Sequence, residues 1–174
     1  MEEVLCTRTL QAGYARPVER DLENYLANSI RRVLGAPQQG IAQVGANLAL
    51  EACNAGSAGV SLLDPKDHEA GFKWTALTGL VFEFTNGCSP RHDSACGDAT
   101  DAHQPLLFRN PARRFTWMQQ LPVQVHELLV APIYDRNGKP AGTVWAVHHA
   151  NLDHFDATDL HYLAKIAELM SGQL

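Results

Sequence analysis

The stretch from Leu80 to Val125 constrains this chain more than any other. It shows little sustained period and is punctuated by Gly87, Pro90, Gly97, Pro105, Pro111 and Pro122. A segment of that length without regular structure is uncommon inside a compact domain unless it has a job. Its density of Gly and Pro predicts a mobile loop region. Strand-like sequence lies on both sides of it.

The flanking sequence supplies the regular elements. From 18 to 34, Leu22, Leu26, Ile30 and Val33 recur at helical spacing. Gly35 and Pro37 then stop that helix. A second helix is predicted over 38–54, with Ile41, Val44, Leu48 and Ala52 as its stripe. The period then changes. Gly59–Leu63 and Phe72–Leu77 read as strands joined by an acidic, Pro-containing turn. Beyond the irregular stretch, Glu127–Tyr134 and Ala141–His149 read as two more strands. Asp135-Arg136-Asn137-Gly138 joins them as a hairpin turn, because Asn-Gly accepts positive φ. Asp156 is placed to cap a last helix that runs to Ser171. That helix carries one stripe of Leu160, Leu163, Ala167 and Met170 and a second of Tyr162, Ile166 and Leu169. The second stripe needs another helix to cover it, from this chain or from a partner.

This order of elements implies an α+β fold with an antiparallel sheet and helices on one face. Residues 1–17 have no clear period and read as a lead-in, with a single domain over 18–174. A chain of 174 residues, 45% hydrophobic, suits one core. Its net charge of −5 argues against binding nucleic acid through counterion release. Arg109, Arg113 and Arg114 read as a solvated turn. No basic-then-apolar leader and no long apolar run is present, so a cytoplasmic protein without a membrane partner is expected. Cys6, Cys53, Cys88 and Cys96 form no C-x-x-C pair, which removes the usual zinc and redox motifs.

Several stretches together resemble the GAF domain family, in particular the sensory domains that precede bacterial histidine kinases. They are Ala55–Leu63, Phe72–Gly79, Ser89-Pro90-Arg91, Ser94-Ala95-Cys96-Gly97 with Asp101, Pro105–Phe108, and Pro140–Trp145 with His149 and Phe155-Asp156. The resemblance covers 21–174. It implies a GAF-like central antiparallel sheet of about six strands, with the terminal helices on one face. The irregular segment would roof a small-molecule pocket on the other. Known members bind varied ligands, so the resemblance implies a sensor and leaves the ligand and any cofactor unknown. It also implies terminal helices that pair into a homodimer and a signalling effector, such as a histidine kinase, as output partner.

Within that frame the candidate ligand-binding residues are Trp74, Ser89, Arg91, Ser94, Cys96, Asp101, Trp117, Glu127, Trp145 and His149. On the strand Ala141–His149, alternation puts Thr143, Trp145, Val147 and His149 on one face and Val144, Ala146 and His148 on the other. The first face mixes apolar bodies with polar tips and is expected to be the pocket floor. Trp74 faces the same space from its own strand, and Trp117 closes or plugs it from the roof. Arg91 and Glu127 are candidate polar anchors or surface charges. Cys96 is a thiol facing a ligand or a small buried hydrophobe. Free methionine sulfoxide reductases are GAF enzymes with a cysteine before a glycine at a similar place. They need a second cysteine in a later loop, and 113–125 here has none. No covalent bilin is expected, since no cysteine stands in a Cys-His context. No nucleophile–base motif or Gly-rich phosphate loop occurs. His92, Asp93, Asp98, Asp101 and His103 match no metal-ligand spacing and read as a flexible polar loop. The expectation is a non-catalytic binding module. The alternatives are a thiol reductase using Cys96 and Cys88, or a dimerisation domain with a filled pocket.

Overall fold

The computed structural model describes residues 4–6 and 15–174. Strand β1 (Val4–Cys6) is followed by helices α1 (Arg20–Arg32) and α2 (Gln38–Ala52). Strands β2 (Ser57–Leu63), β3 (Phe72–Gly79) and β4 (Cys88–Ser89) come next. Then come helix α3 (Ala95–Ala102), strands β5 (Leu106–Arg109), β6 (Glu127–Tyr134) and β7 (Pro140–His148), and helix α4 (Ala157–Met170). The seven strands form one sheet in the order β1-β5-β6-β7-β2-β3-β4, and every pairing is antiparallel. The architecture is the α+β one expected, with short strands β1 and β4 added at the two edges.

The strict alternation of side chains sorts the core into two layers. Toward the helices point Val60, Leu129, Ala131, Ile133, Val144 and Ala146, packed against α2 and α4. Toward the other face point Leu77, Phe108, Leu128, Val130, Trp145 and Val147. Small residues on β7 let the helices approach closely. At α2, Gly45 does the same: a Cβ there would lie 2.4 Å from the Met170 sulfur.

Helix α1 sits outside α2 and α4, with Leu26 and Ile30 buried beneath it. It covers the second stripe of α4. Tyr162 and Ile166 are buried in the helix layer of the same chain, and the Tyr162 hydroxyl accepts the Glu19 N–H at 2.8 Å. Of the two covers that the sequence left open for this stripe, a helix of the same chain supplies one, so the stripe itself lends no support to the homodimer that the resemblance implies. Asp156 caps α4 by accepting from the N–H groups of Thr158 and Asp159, and Asp159 returns a bond to the Asp156 N–H. Arg16 pairs with both carboxylates. Where residues 1–17 are described, Val4–Cys6 extend the sheet beside β5, and Arg16 clasps the start of α4. Residues 1–3 and 7–14 lie outside the described ones.

At the β6–β7 turn only Gly138 uses positive φ, at 76°. The Asp135 carboxylate accepts from the N–H groups of Asn137 and Lys139, so the turn is closed by its first residue rather than by an Asn-Gly pair. Among the described residues no helix is long and apolar enough to cross a membrane.

Candidate functional site

The segment between β3 and β6 folds over the sheet face opposite the terminal helices, as expected of a roof. It is not the loose loop that its composition suggests. It contains α3, β4, β5 and three short 3-10 turns, over Phe82–Phe84, Pro111–Arg113 and Thr116–Gln120. Helix α3 escaped the sequence reading because it is short and mixes Gly, Asp and Thr, which are poor helix formers. Its start is nonetheless well specified. The Ser94 hydroxyl accepts the Gly97 N–H at 3.1 Å and donates to the Pro90 carbonyl at 2.7 Å. Gly97 is needed there, since a Cβ would stand 2.2 Å from the Arg91 carbonyl oxygen. Ala95, Cys96 and Ala99 of α3 are buried in the second core layer.

A cavity with about 70 Å³ of open space lies between sheet and roof. Trp145, Val147 and Leu128 make its floor, and Trp74 and Leu77 a side wall. Ser89, Ser94, Ala95 and Cys96 close one end. Trp117, Met118, Leu121, Val123 and Val125 form the lid. Trp74 and Trp117 face one another across it, with ring centroids 6.4 Å apart and planes tilted by 36°. All three tryptophans of the chain therefore line one space. Two of the three indole donors are engaged: Trp145 Nε1 donates to Ser61 Oγ at 2.8 Å, and Trp117 Nε1 to the Asp93 carbonyl at 3.0 Å.

Six of the sequence-derived candidates meet here: Trp74, Ser89, Ser94, Cys96, Trp117 and Trp145. Four do not. Glu127 points to the helix face, because it alternates with Leu128. It is fully buried there and accepts the N–H groups of Asp153, His154 and Phe155 at 3.0, 2.9 and 3.0 Å. It anchors the β7–α4 connection and offers nothing to a ligand in the cavity. His149 lies beyond the cavity edge. Its Nδ1 donates to the Gln124 carbonyl at 2.6 Å, which leaves Nε2 of the neutral ring to accept from Ser57 Oγ at 2.7 Å. It pins the end of the roof to the start of β2. Arg91 pairs with Asp101 at 2.5 Å and lies 5.9 Å from the Phe72 ring centre. That bond from Arg91 holds the Asp101 carboxyl below its ordinary range. Neither residue lines the cavity. The polar run 92–103 is likewise tied down: His92 meets Glu69, and Asp98 meets Arg114.

Sequence reasoning missed the apolar lid, Met118, Leu121, Val123 and Val125, and the floor residue Leu128. The signal for Leu128 was present, since alternation along β6 puts it on the face of Val130. The lid carries no such signal, because its turns have no period.

Cys96 is buried, and burial pushes its thiol up to about 11. The hydroxyls of Thr143, Ser61 and Ser89 stand near enough to oppose part of that rise. Yet Ser89 Oγ and Thr143 Oγ1 meet no partner at hydrogen-bonding geometry, a sulfur being a weak acceptor. A thiol so raised is almost wholly protonated at neutral pH and a poor nucleophile. Among the described cysteines, Cys88 is exposed while Cys53 and Cys96 are buried. Iodoacetamide at neutral pH is therefore expected to modify Cys88 and to reach Cys53 and Cys96 only on unfolding. Peptide mapping by mass spectrometry checks this. Native-state labelling of Cys96 at the rate of Cys88 would contradict the burial argument.

Gly59 sets the depth of the floor. A Cβ there would lie 2.3 Å from Cζ2 of Trp145 and 2.7 Å from Cδ2 of Leu77. Gly59→Ala is expected to push the indole off Ser61, shift the tryptophan emission, and cost roughly 1–3 kcal/mol. Unchanged emission and melting would show that the ring is not held as described.

The sequence model described as GAF domain matches residues 37–174. None of the curated proteins matches the chain in sequence. Among solved structures, the GAF domain of an Acinetobacter phosphoenolpyruvate-protein phosphotransferase is similar, with a TM-score of 0.72 at 17% identity over 87% of this chain and 89% of that one. The free methionine-R-sulfoxide reductase of Neisseria meningitidis, solved in complex with its substrate, has a TM-score of 0.65 at 17% identity over 92% and 93%. The second GAF domain of DevS from Mycobacterium smegmatis has a TM-score of 0.58 at 22% identity over 72% and 84%. At these identities the likeness is one of fold.

Proposed function

Because this chain belongs to the GAF domain family, we propose that it is a non-catalytic sensory module that binds a small molecule in the tryptophan-walled cavity. The observation that carries the reading is the cavity itself. Open space between a rigid sheet and a roof of short turns is what a reversible ligand needs. Strand β7 gives the binding event a route outward. It presents Trp145 and Val147 to the cavity, and Val144 and Ala146 to the helices from its other face. A ligand that favours one position of the β7 floor shifts the population of helix arrangements to the same extent. The terminal helices α1 and α4 would hand that shift to a signalling effector, of which a histidine kinase is one kind.

The thiol-reductase reading draws support from the similar fold of the Neisseria enzyme. The raised Cys96 thiol and the absence of any cysteine from the 113–125 loop weigh against it. Two experiments test the sensor reading and a third the enzyme reading. Native mass spectrometry of the protein taken from cell extract is expected to show a retained small molecule. Hydrogen exchange should slow across 116–125 when that molecule is present. The reading fails if no molecule is retained from extract and exchange in the lid never changes. Turnover of free methionine sulfoxide that is lost in Cys96→Ser would establish the enzyme instead.

A further inference from the structure

We propose that His148 and His154 form a proton-operated latch on the β7–α4 connection: the rings stay stacked while at most one of them is charged, and charging both parts them and loosens the start of α4. The latch is independent of what the cavity holds.

The geometry is that of a closed loop. His148 ends β7, and His154 stands just ahead of the Asp156 cap of α4. Their half-buried rings stack with centroids 3.7 Å apart and planes 13° from parallel. Phe155, itself buried, packs edge-on to both, 6.4 Å from His148 and 5.0 Å from His154. His148 Nδ1 donates to the Asn151 carbonyl at 3.4 Å, and His154 Nε2 to the Asn54 carbonyl, just beyond α2, at 3.1 Å. A carbonyl can only accept, so each neutral ring has its single N–H engaged and its other nitrogen able to take a proton. The stack thus ties together the end of β7, the head of α4 and the end of α2.

Charge decides when the latch opens. A cation against the face of a neutral ring is attracted, whereas two imidazoliums at this separation repel. The neighbours do not cancel that repulsion. Glu127 of β6 pairs in register with His148 and favours its charge, but it is spent on three backbone N–H groups and lies 3.5 Å from Arg109 of β5. Asp153 is taken by Arg109, and Asp156 and Asp159 by Arg16. His149 adjoins His148 on β7 and opposes its charge, while the His126 N–H donates to the His148 carbonyl. Burial first, and the charge of His154 second, hold the His148 ring below its ordinary range, against the pull of the Asn151 carbonyl and Glu127. A histidine so held contributes stability that is present above about pH 6.5 and is lost as pH falls through the lower folded value. Asp159 works in the opposite sense. Burial pushes its carboxyl up to about 6, so protonating it as pH falls favours the folded state.

The test follows the histidine ring signals of the full chain by nuclear magnetic resonance from about pH 8 to about pH 5, with single His→Gln variants assigning them. His148 and His154 should titrate in two coupled steps, about one pH unit or more apart. Hydrogen exchange, corrected for its intrinsic pH dependence, reads the opening. Exchange across 150–158 should rise below about pH 6.5, by up to about tenfold per pH unit. His148→Phe keeps a ring in the stack and removes one charge, so His154 should titrate in a single step and the rise should vanish. His154→Phe should act in the same way on His148 if the first variant misfolds. Asp159→Asn should leave the rise in place. Two independent, single-step titrations in the parent chain would overturn the latch. So would a rise that persists in His148→Phe, or one that disappears in Asp159→Asn, which would make Asp159 the responsible group. Coupled titration with flat exchange would show that the pair does not govern the start of α4, and would overturn the proposal as well.

Discussion

Glu127→Ala should destabilise the protein by ~3–5 kcal/mol, a large part of the ~5–15 kcal/mol that holds a typical domain together. The carboxylate is fully buried and is the acceptor for three successive backbone N–H groups, those of Asp153, His154 and Phe155. Arg109 lies 3.5 Å from it and bonds Asp153 at 2.5 Å, so the connection is held at two points. Removing the side chain orphans three donors, that of Phe155 fully buried and those of Asp153 and His154 part-buried, and each costs desolvation in proportion to its shielding from water. Glu127→Gln keeps one oxygen acceptor and should lose less than half as much. Urea unfolding followed by far-ultraviolet circular dichroism measures both. A loss below about 1 kcal/mol for the alanine variant would mean that the β7–α4 connection does not depend on this residue.

Ile166→Glu should prevent folding, or cost more than ~4 kcal/mol, rather than yield a stable monomer. Ile166 is fully buried on α4, in the layer between sheet, α2 and α1. A carboxylate there has no partner and cannot reach solvent without opening the helix layer. Circular dichroism together with sedimentation separates the possibilities. A folded monomeric variant from a dimeric parent would restore the interface reading of this stripe and show that α1 does not cover it in solution. The control is Tyr25→Glu on the outer face of α1, where the side chain is 45% exposed. It should leave melting within about 0.5 kcal/mol of the parent.

These two residues also show where sequence reading works and where it stops. Period alone places Ile166 on a helix and Glu127 at the head of a strand. For Ile166 it also states the problem correctly: a second stripe must be covered. It cannot say by what, because a helix of the same chain and a helix of another copy satisfy the same pattern. For Glu127 the alternation that places Trp145 and Val147 over the cavity was equally available along β6, and it directs Glu127 to the opposite face. The expectation of a polar anchor came from the residue's chemistry rather than from its parity. His149 and Arg91 failed differently. Their polar groups were recognised, but the groups that satisfy them, the Gln124 carbonyl, Ser57 and Asp101, are distant in sequence or on a helix that carried no signal.

What the sequence determined by itself is the set of long elements and their faces. A period of 3.6 or 2 sustained over several turns or pleats is a local property, and burial has only one way to satisfy it. That fixed α1, α2, α4, β3, β6 and β7, the two-layer division of the core, and the sheet face that carries Trp145. The tertiary structure alone decided the roof, the edge strands β1 and β4, and which copy covers α4. Short segments such as Ala95–Ala102 and Val4–Cys6 gain too little from their own hydrogen bonds to form without a surface to pack on. Their conformation is set by the sheet beneath them, so it is written in contacts between residues far apart in the chain and not in any window of it.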